Sequence, residues 1–435
     1  MKKLWLQSLI ISVFVFILLW GVSKLTDLKL LNAFDPISQA MADFELTDYA
    51  FSNLRPDPLV DERIVLVNFG ELPRGAVAQL VQKIASYKPR VIGIDALYNC
   101  EGGLRDTLNC PQLLDTLGNM MLSFAFQDAG NIVLGEKLMQ TDSLSQFDTN
   151  DSDSLEVPDE LFRQHAKLGY VTLPTNATYQ EDVKISRTIW PKKQVGNKTE
   201  LAFSTQIAMQ YDSTKAMIYL NREVEEEIIN FRGNIEVMQL RVHSLKSDET
   251  STTNFATMFS VIDYEDVFAE NHDPALFKDK IVMIGFLGKY LGAPSWEDKF
   301  FTPLNKKIGG RANPDMFGLV VHANVVAMIL NGDFVNELAE WQKYLIAFIV
   351  CFLTVALFIT IDTKLPIWFD AFSVIIQILQ LLVISGFMVW AFAQFNFKLD
   401  LSIALGVAAL VGPAYDIYKS IENQIIDYRE NNSSS

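Results

Sequence analysis

The placement of its apolar runs most constrains how this chain can fold. One run opens the sequence, three close it, and about 320 residues of mixed character lie between them. The runs are Leu4–Val22, Tyr344–Ile361, Phe369–Phe392 and Leu401–Tyr415. A helix of roughly 20 apolar residues crosses the hydrocarbon core of a bilayer. Four such crossings put both termini on one side of a membrane and the long middle segment on the other.

Basic residues near the apolar runs predict the orientation. Lys2 and Lys3 precede the first run, and short cytoplasmic segments are enriched in Lys and Arg, so the N-terminus is expected inside. Lys364, Lys419 and Arg429 then also fall inside. The alternative for the first run is a cleaved signal peptide, although no clear cleavage site follows it.

These observations divide the chain into five segments. We expect an uncleaved membrane anchor first, then an amphipathic helical stalk, a folded extracytoplasmic domain, three membrane helices and a short cytoplasmic tail. Their predicted bounds are 1–22, 23–58, 59–342, 343–415 and 416–435.

The charge of the middle segment excludes one class of partner. Residues 23–342 carry 29 basic and 45 acidic side chains, which accounts for the whole formal charge of −16. Binding to nucleic acid through phosphate neutralisation needs a basic surface. We therefore expect no nucleic-acid partner.

Cysteine and histidine usage predicts neither a metal site nor a cofactor. Cys351 lies inside an apolar run. Cys100 and Cys110 lie in the segment expected outside the cytoplasm, where a disulfide can form; two free thiols are the alternative. The four histidines are scattered, and no cysteine pair has the spacing of a metal site.

Short β-branched runs alternate with helical patterns in the middle segment. Ile64–Phe69, Val91–Asp95, Asn131–Gly135 and Lys280–Gly285 are typical of buried strands, and Arg74–Tyr87 has a helical apolar stripe. This alternation predicts an α/β domain with a mostly parallel sheet and flanking helices, in addition to four transmembrane α-helices. We also expect the first two strands to pair side by side.

Two less regular stretches carry weaker predictions. Tyr170–Thr172 and Ile185–Trp190 could form a hairpin. Gln140–Asp159 is rich in Ser and Asp and nearly free of apolar residues, so it is expected to be a loop or a disordered insert.

Several separated blocks of the sequence stand out. The first two are Asp61–Gly70 (DERIVLVNFG) and Lys88–Tyr98 (KPRVIGIDALY). Further blocks follow at Ile229–Asn234 (INFRGN), Phe259–Phe268 (FSVIDYEDVF), Phe277–Gly285 (FKDKIVMIG), Asp298–Leu304 (DKFFTPL) and Gly318–Asp333 (GLVVHANVVAMILNGD). In type and order these blocks resemble the CHASE type 2 family, the extracytoplasmic sensor domains of bacterial histidine kinases, adenylate cyclases and serine/threonine kinases.

The resemblance implies an α/β sensor domain with one span before it and usually three after it. Two departures are visible. The family usually has a Trp/Pro-rich stretch after its first strand, of which only Leu72-Pro-Arg-Gly is present. Most members also carry an output domain after the last span, where we expect only the tail at 416–435.

The candidate ligand-binding residues follow from the expected sheet. In open α/β sheets, ligands bind beyond the carboxyl ends of the strands, which is where Asp95 and Gly285 lie. The following loop supplies Gly288, Asp298 and Thr302, whose main-chain amides could cradle a ligand or an anion. The alternative is structural, because strand-to-helix turns use Gly and Asp for geometry and capping.

Three polar side chains in helices complete the set of candidates. His322 is expected to bind the edge of the sheet, with Asp95 or Asp298 as its candidate partner. Gln377 and Gln380 are three residues apart on one face of a membrane helix, where they would bond to a helix of the same bundle or of a partner.

The leading hypothesis is a non-enzymatic envelope sensor, a multi-pass protein of a bacterial inner membrane. It would bind a ligand or a protein outside and signal through a separate partner, which is an envelope or cytoplasmic signalling protein or a second copy. The alternative is a structural or assembly subunit that uses the domain for protein docking. An enzyme ranks third.

Overall fold

The computed structural model describes residues 2–26, 45–56, 58–99, 115–141, 144, 152–175, 184–235, 258–293, 295, 297–305 and 313–433. The chain divides into two compact units. One unit comprises Phe51–Val335, and the other comprises Met1–Ala50 together with Asn336–Ser435.

The strands within the described residues are mostly short. They are β1 Ile64–Asn68, β2 Val91–Ile94, β3 Ile132–Met139, β4 Ser154–Glu156, β5 Ala166–Tyr170, β6 Thr188–Ile189, β7 Lys192–Val195, β8 Lys198–Leu201, β9 Glu227–Ile228, β10 Ser260–Asp263, β11 Ile281–Gly285, β12 Lys299–Phe300, β13 Met316–Phe317, β14 Asn336–Glu337 and β15 Phe397–Lys398.

The longest helices lie in the unit formed by Met1–Ala50 and Asn336–Ser435. They are α1 Lys2–Thr26, α2 Leu46–Tyr49, α3 Arg74–Ser86, α4 Thr116–Ala129, α5 Glu160–Arg163, α6 Phe203–Tyr211, α7 Ser213–Leu220, α8 Tyr264–Phe268, α9 Gly318–Asn331, α10 Glu340–Lys364, α11 Phe369–Phe395 and α12 Ser402–Ser433. A π-helical turn at Ala50–Leu54 and 3-10 turns at Pro274–Leu276 and Pro366–Trp368 complete them.

The unit Phe51–Val335 is built on a seven-stranded sheet in the order β10-β1-β11-β2-β3-β4, with β5 also paired to β3. All of these pairs are parallel except β3–β4, which is antiparallel. The predicted α/β domain with a mostly parallel sheet is therefore confirmed.

Three local expectations are wrong. β11 lies between β1 and β2, so the first two strands are parallel but do not pair with each other. The expected hairpin is absent, because β5 pairs in parallel with β3 and β6 pairs with β9. The stretch expected to be a loop contains β4, which extends the sheet along the second half of β3.

Helices cover both faces of the sheet. On one face, α3 and α4 bury Leu80, Ile84 and Phe126 against Val65, Ile92 and Leu134 of the strands. On the other face α6 contacts β2, β3 and β5, and α9 contacts β1 and β11. Gly93 permits the close approach of α6, since a β-carbon there would lie 2.5 Å from Cδ1 of Ile207.

Helix α9 is the most buried helix of this unit. Every residue from Gly318 to Leu330 is buried, which is expected of a helix that is apolar on all sides. It ends where Gly332 adopts a left-handed conformation with φ +64°. Helix α9 therefore connects the sheet to Val335, where the unit ends.

The other unit contains the long apolar helices. Helices α10 and α11 and the segment Leu4–Val22 of α1 are long and apolar enough to cross a membrane, and they are the three such helices in the described residues. Ile11 and Val15 of α1 pack with Val355 and Phe358 of α10 and with residues of α12. Helix α12 begins within the fourth apolar run and continues through the predicted tail.

Candidate functional site

Two of the predicted residues meet at the carboxyl edge of the sheet. Asp95 follows β2, and its N–H donates to the carbonyl of Ile284 in β11 at 2.9 Å. A β-carbon on Gly285 would lie 3.3 Å from Cβ of Asp95 and 3.1 Å from the Cδ atoms of Leu319 in α9. Gly285 thus lets the side chain of Asp95 and the first turn of α9 approach each other.

Asp298 lies against the same end of α9. Its main-chain carbonyl accepts the N–H of Gly318 at 2.9 Å, and it adopts a left-handed conformation with φ +53°. A β-carbon on Gly318 would lie 3.2 Å from both carboxylate oxygens of Asp298. Because the N-terminus of a helix carries partial positive charge, a carboxylate is favoured there.

The two carboxyl groups are close enough to repel. Burial and the charge of Asp298 raise the pKa of Asp95 above its usual range. Solvent still reaches Asp298, yet protein atoms crowd around it, and this desolvation raises its pKa while Lys184 opposes the rise. We name Asp95, Lys184, Gly285, Asp298 and Gly318 the carboxylate crevice. Such a site favours a proton or a group that brings positive charge.

Gly288 has a structural role. Its carbonyl accepts from the buried side chain of Asn68 at 3.0 Å, and its φ of +99° suits glycine. The amides of Leu287 and Leu291 donate to Asn68 and Asp263, at 2.9 Å in both cases. The amides of Leu287 and Leu291 are therefore bonded within the protein, and the anion cradle expected of this loop stays a prediction.

Thr302 is likewise bound within the protein. Its N–H and its hydroxyl donate to the two carboxylate oxygens of Asp315 at 2.8 and 2.6 Å. Asn305 donates to the same carboxylate at 3.2 Å. Burial raises the pKa of Asp315 to about 7, although these donors oppose the rise.

His322 binds the sheet edge through a different partner from those expected. Its Nε2 lies 3.1 Å from the carbonyl oxygen of Val171, directly after β5, and not beside Asp95 or Asp298. The carbonyl can only accept, so Nε2 carries the proton, and the buried Nδ1 has no hydrogen-bond partner among the residues that the structure describes. Burial lowers the pKa of His322 to about 4 and keeps the ring neutral.

Gln377 and Gln380 bond within their own bundle. Nε2 of Gln377 donates to the carbonyls of Ala408 and Ala409 in α12, both at 3.0 Å. Nε2 of Gln380 donates to the hydroxyl of Thr354 in α10 at 2.7 Å. Both side chains therefore bond to helices of their own bundle, which is one of the two alternatives that the sequence left open.

A clamp between α9 and the loop after β9 was missed by the sequence reasoning. Oδ1 of Asn324 accepts from the amides of Arg232 and Gly233 at 3.0 and 3.4 Å. Its Nδ2 donates to the carbonyls of Gly233 and Val320 at 2.9 and 3.0 Å. A lone Asn inside an apolar helix was the available signal, because a buried amide needs partners.

The same loop joins the first and last segments of this unit. Arg55, near the start of the unit, donates to Oδ1 of Asn230, and Nδ2 of Asn230 donates to the carbonyl of Asp333 at 2.8 Å. The carboxylate of Asp333 pairs with Arg232 at 2.5 Å. Burial and the nearby Arg232 lower the pKa of Arg55 to about 9. We name Arg55, Asn230, Arg232 and Asp333 the junction network.

Two further expectations concern the disulfide and metal binding. Cys100 and Cys110 lie outside the described residues, so the disulfide stays a prediction. In the part of the chain that the structure describes, no group of three or more His, Cys, Asp or Glu side chains is arranged to hold a metal ion.

Comparison with known proteins identifies the family. The CHASE2 domain model matches residues 13–359, about four fifths of the chain. Neither the search of curated proteins nor the search of solved structures gave a match. The matched range contains the carboxylate crevice, α9 and the junction network. On this match the chain belongs to the CHASE2 family of extracytoplasmic sensor domains.

Proposed function

We propose that this protein is a non-enzymatic sensor of a bacterial inner membrane, with its α/β domain outside the cytoplasm. It binds a ligand in the carboxylate crevice and passes the signal through its membrane helices to a separate protein. Membership of a sensor family supports the class of function. The rest of the proposal depends on the contacts that α9 makes at its first and last turns.

Helix α9 connects the candidate site to the end of its unit. Its first turn touches Asp298 and Gly285, and its last turn leads to Asp333 in the junction network. The helix is buried along its length and is clamped at Asn324, so it is held as a rigid rod. Because packed elements shift between discrete arrangements, a change at its first turn has a route to its last.

The chemistry of the crevice favours binding over catalysis. Two carboxyl groups with raised pKa values gain from a proton, an amine or another cation. His322 is not placed as a base for this pair, since its Nε2 is bound to a main-chain carbonyl. A ligand that brings positive charge would relieve the repulsion at the start of α9.

The substitution Asp95→Asn tests this coupling, because it mimics an occupied crevice. In the full-length protein at constant pH 8, we expect slower hydrogen exchange at Asn230–Gly233 and in the last turn of α9. Asp128→Asn, in the last turn of α4 shortly before β3 begins, is the control and should change neither region. A response confined to residues around Asp95 would contradict the proposed path.

The unfolding midpoint of the Asp95→Asn variant is the control for its folding. A raised pKa of Asp95 means that stability present at low pH is lost as pH rises through that pKa. Asp95→Asn removes the loss, so its unfolding midpoint at pH 8 should be equal to or higher than that of the parent. A lower midpoint would show that the exchange data report damage to the fold.

The proposed topology has four crossings, the fourth being the first part of α12. Lys343 of α10 pairs with Asp400, just before α12, at 3.1 Å, and Asp362 of α10 pairs with Lys419 of α12. Lys343 and Asp362 are 19 positions apart along the chain, and so are Asp400 and Lys419. At about 1.5 Å per residue this is roughly 28 Å, close to the thickness of a hydrocarbon core. The equal spacing of the paired charges supports the first part of α12 as a membrane span beside α10.

Protease added outside spheroplasts tests this topology. It should digest the domain at 59–342 and leave a C-terminal tag intact, because an even number of crossings returns the chain to the cytoplasm. In the control, spheroplasts that have been permeabilised, the protease should also remove the C-terminal tag. Loss of the tag from intact spheroplasts would mean three crossings.

A docking subunit remains the alternative, and an exposed apolar stripe on α4 favours it. Leu117, Met120 and Phe124 lie at helical spacing and are between 48 % and 71 % exposed. Exposed apolar patches of this kind mark protein contacts. Copurification in mild detergent separates the roles: a kinase or cyclase favours sensing, and envelope machinery favours docking.

A further inference from the structure

Helix α12 continues well past the end of its neighbour α10. Lys419 and Tyr415 both bind the carboxylate of Asp362, near the last turn of α10. Helix α12 then runs on to Ser433. These 14 residues extend the helix by about 21 Å at 1.5 Å per residue. No proline or glycine follows Pro413 in the helix, so the extension keeps the direction of the span.

An apolar seam runs along this extension. Tyr418, Ile421, Ile425 and Tyr428 follow one another at spacings of three, four and three residues. Ile421, Ile425 and Tyr428 are 46 %, 48 % and 70 % exposed. Lys419, Glu422 and Asn423 lie outside the seam. Tyr418, where the seam begins, is half-buried against the core of its own bundle. The exposed isoleucines and tyrosine that follow it predict a covering partner.

The spacing of the seam indicates another helix as the partner. A repeat of three and four residues is the heptad pattern, which places one stripe against a second helix in a left-handed coiled coil. A membrane surface does not fit, because α12 projects along the direction of its span. A partner helix with the same repeat, at the same distance from the membrane, would cover Ile421, Ile425 and Tyr428 together.

The length of the seam favours a second copy of this chain over a soluble helix. The seam spans the 11 residues Tyr418–Tyr428, about one and a half heptads, whereas free coiled coils need three or four. A helix arriving from solution would therefore bind weakly. A second copy is confined to the same membrane, which raises its effective concentration, and its seam lies at the same level by symmetry.

We propose that Ile421, Ile425 and Tyr428, which continue from the packed Tyr418, form a short parallel two-stranded coiled coil with the same residues of a second copy. The short seam leaves the association weak enough for a signal to shift it. The proposal takes from the previous section only that α12 leaves the membrane near Lys419. It does not depend on the carboxylate crevice.

Single cysteines introduced along the extension test the proposal in native membranes. Under mild oxidation, Ile421→Cys, Ile425→Cys and Tyr428→Cys should cross-link to dimers, whereas Lys419→Cys, Asn423→Cys and Ile426→Cys should not. The parent protein reports any dimer formed through its own three cysteines. Equal cross-linking at all positions, or none at the seam positions, would overturn the proposal.

A charge substitution provides the second measurement, and Ile426 is the matched control. Ile426 is 46 % exposed, almost the same as Ile425, but it lies off the seam. Ile425→Glu should lower the cross-linked fraction of the Ile421→Cys variant at least tenfold, and Ile426→Glu should leave it unchanged. If both substitutions act alike, or if a different protein is cross-linked instead, the second-copy proposal is wrong.

Discussion

Asn324→Ala is expected to lower the free energy of unfolding by about 3–5 kcal/mol. The side chain is 1 % exposed and bonds to two main-chain amides and two main-chain carbonyls. Its removal leaves the amides of Arg232 and Gly233 and the carbonyl of Gly233 without partners. Each buried polar group left without a hydrogen bond lowers the free energy of unfolding by about 1–3 kcal/mol. Thermal or denaturant unfolding of the full-length protein in detergent measures the loss.

Asn331→Ala is the matched control for this experiment. Asn331 closes the same helix but is exposed, and its Oδ1 accepts one bond from Arg63 at 2.7 Å. Its substitution should cost no more than about 1 kcal/mol, since a single exposed bond is replaced by water. Equal losses for the two variants would show that the clamp adds nothing beyond one ordinary hydrogen bond.

Gln377→Leu is expected to destabilise the membrane helices by about 1–2 kcal/mol. Pro413 lacks an N–H, so the carbonyl of Ala409, four residues earlier, loses its usual helical donor. Gln377 supplies that donor at 3.0 Å. Gly412 makes the room, because a β-carbon there would lie 2.6 Å from Oε1 of Gln377.

A double-mutant cycle isolates this role. Pro413→Ala restores an N–H to the helix, so Gln377→Leu should cost clearly less in that background than in the parent. Gln380→Leu, which removes only the bond to Thr354, should cost the same in both backgrounds. Unfolding in increasing detergent concentration gives all the values. Additive costs for Gln377 and Pro413 would contradict the explanation.

The strands of the central sheet could be predicted, but their order could not. Apolar β-branched runs such as Ile64–Asn68 and Ile281–Gly285 identify buried strands by themselves. Nothing local to these runs states that β11, some 200 residues later, inserts between β1 and β2. Pairing over such separations depends on the packing of the whole domain. The failed hairpin has the same cause.

The candidate site, too, could be predicted only in part from the sequence. Asp95 and Gly285 could be placed, since residues that end parallel strands meet at one edge. Gly288 and Thr302 could not be separated from them, because the roles of these two residues are set by Asn68 and Asp315, whose contacts are tertiary. The polar residue that ends β1, Asn68, was the overlooked signal for a loop anchor.

The ion pairs at the two ends of α10 and α12 limit the motions open to these helices. Lys343–Asp400 ties one end, and Asp362–Lys419 ties the other. A slip of one helix past the other by one turn, about 5.4 Å, would break both pairs together. Tilting or rotating the two helices as one body breaks neither. We therefore expect a displacement of α10 at Lys343 to move α10 and α12 together, so that it also moves Lys419.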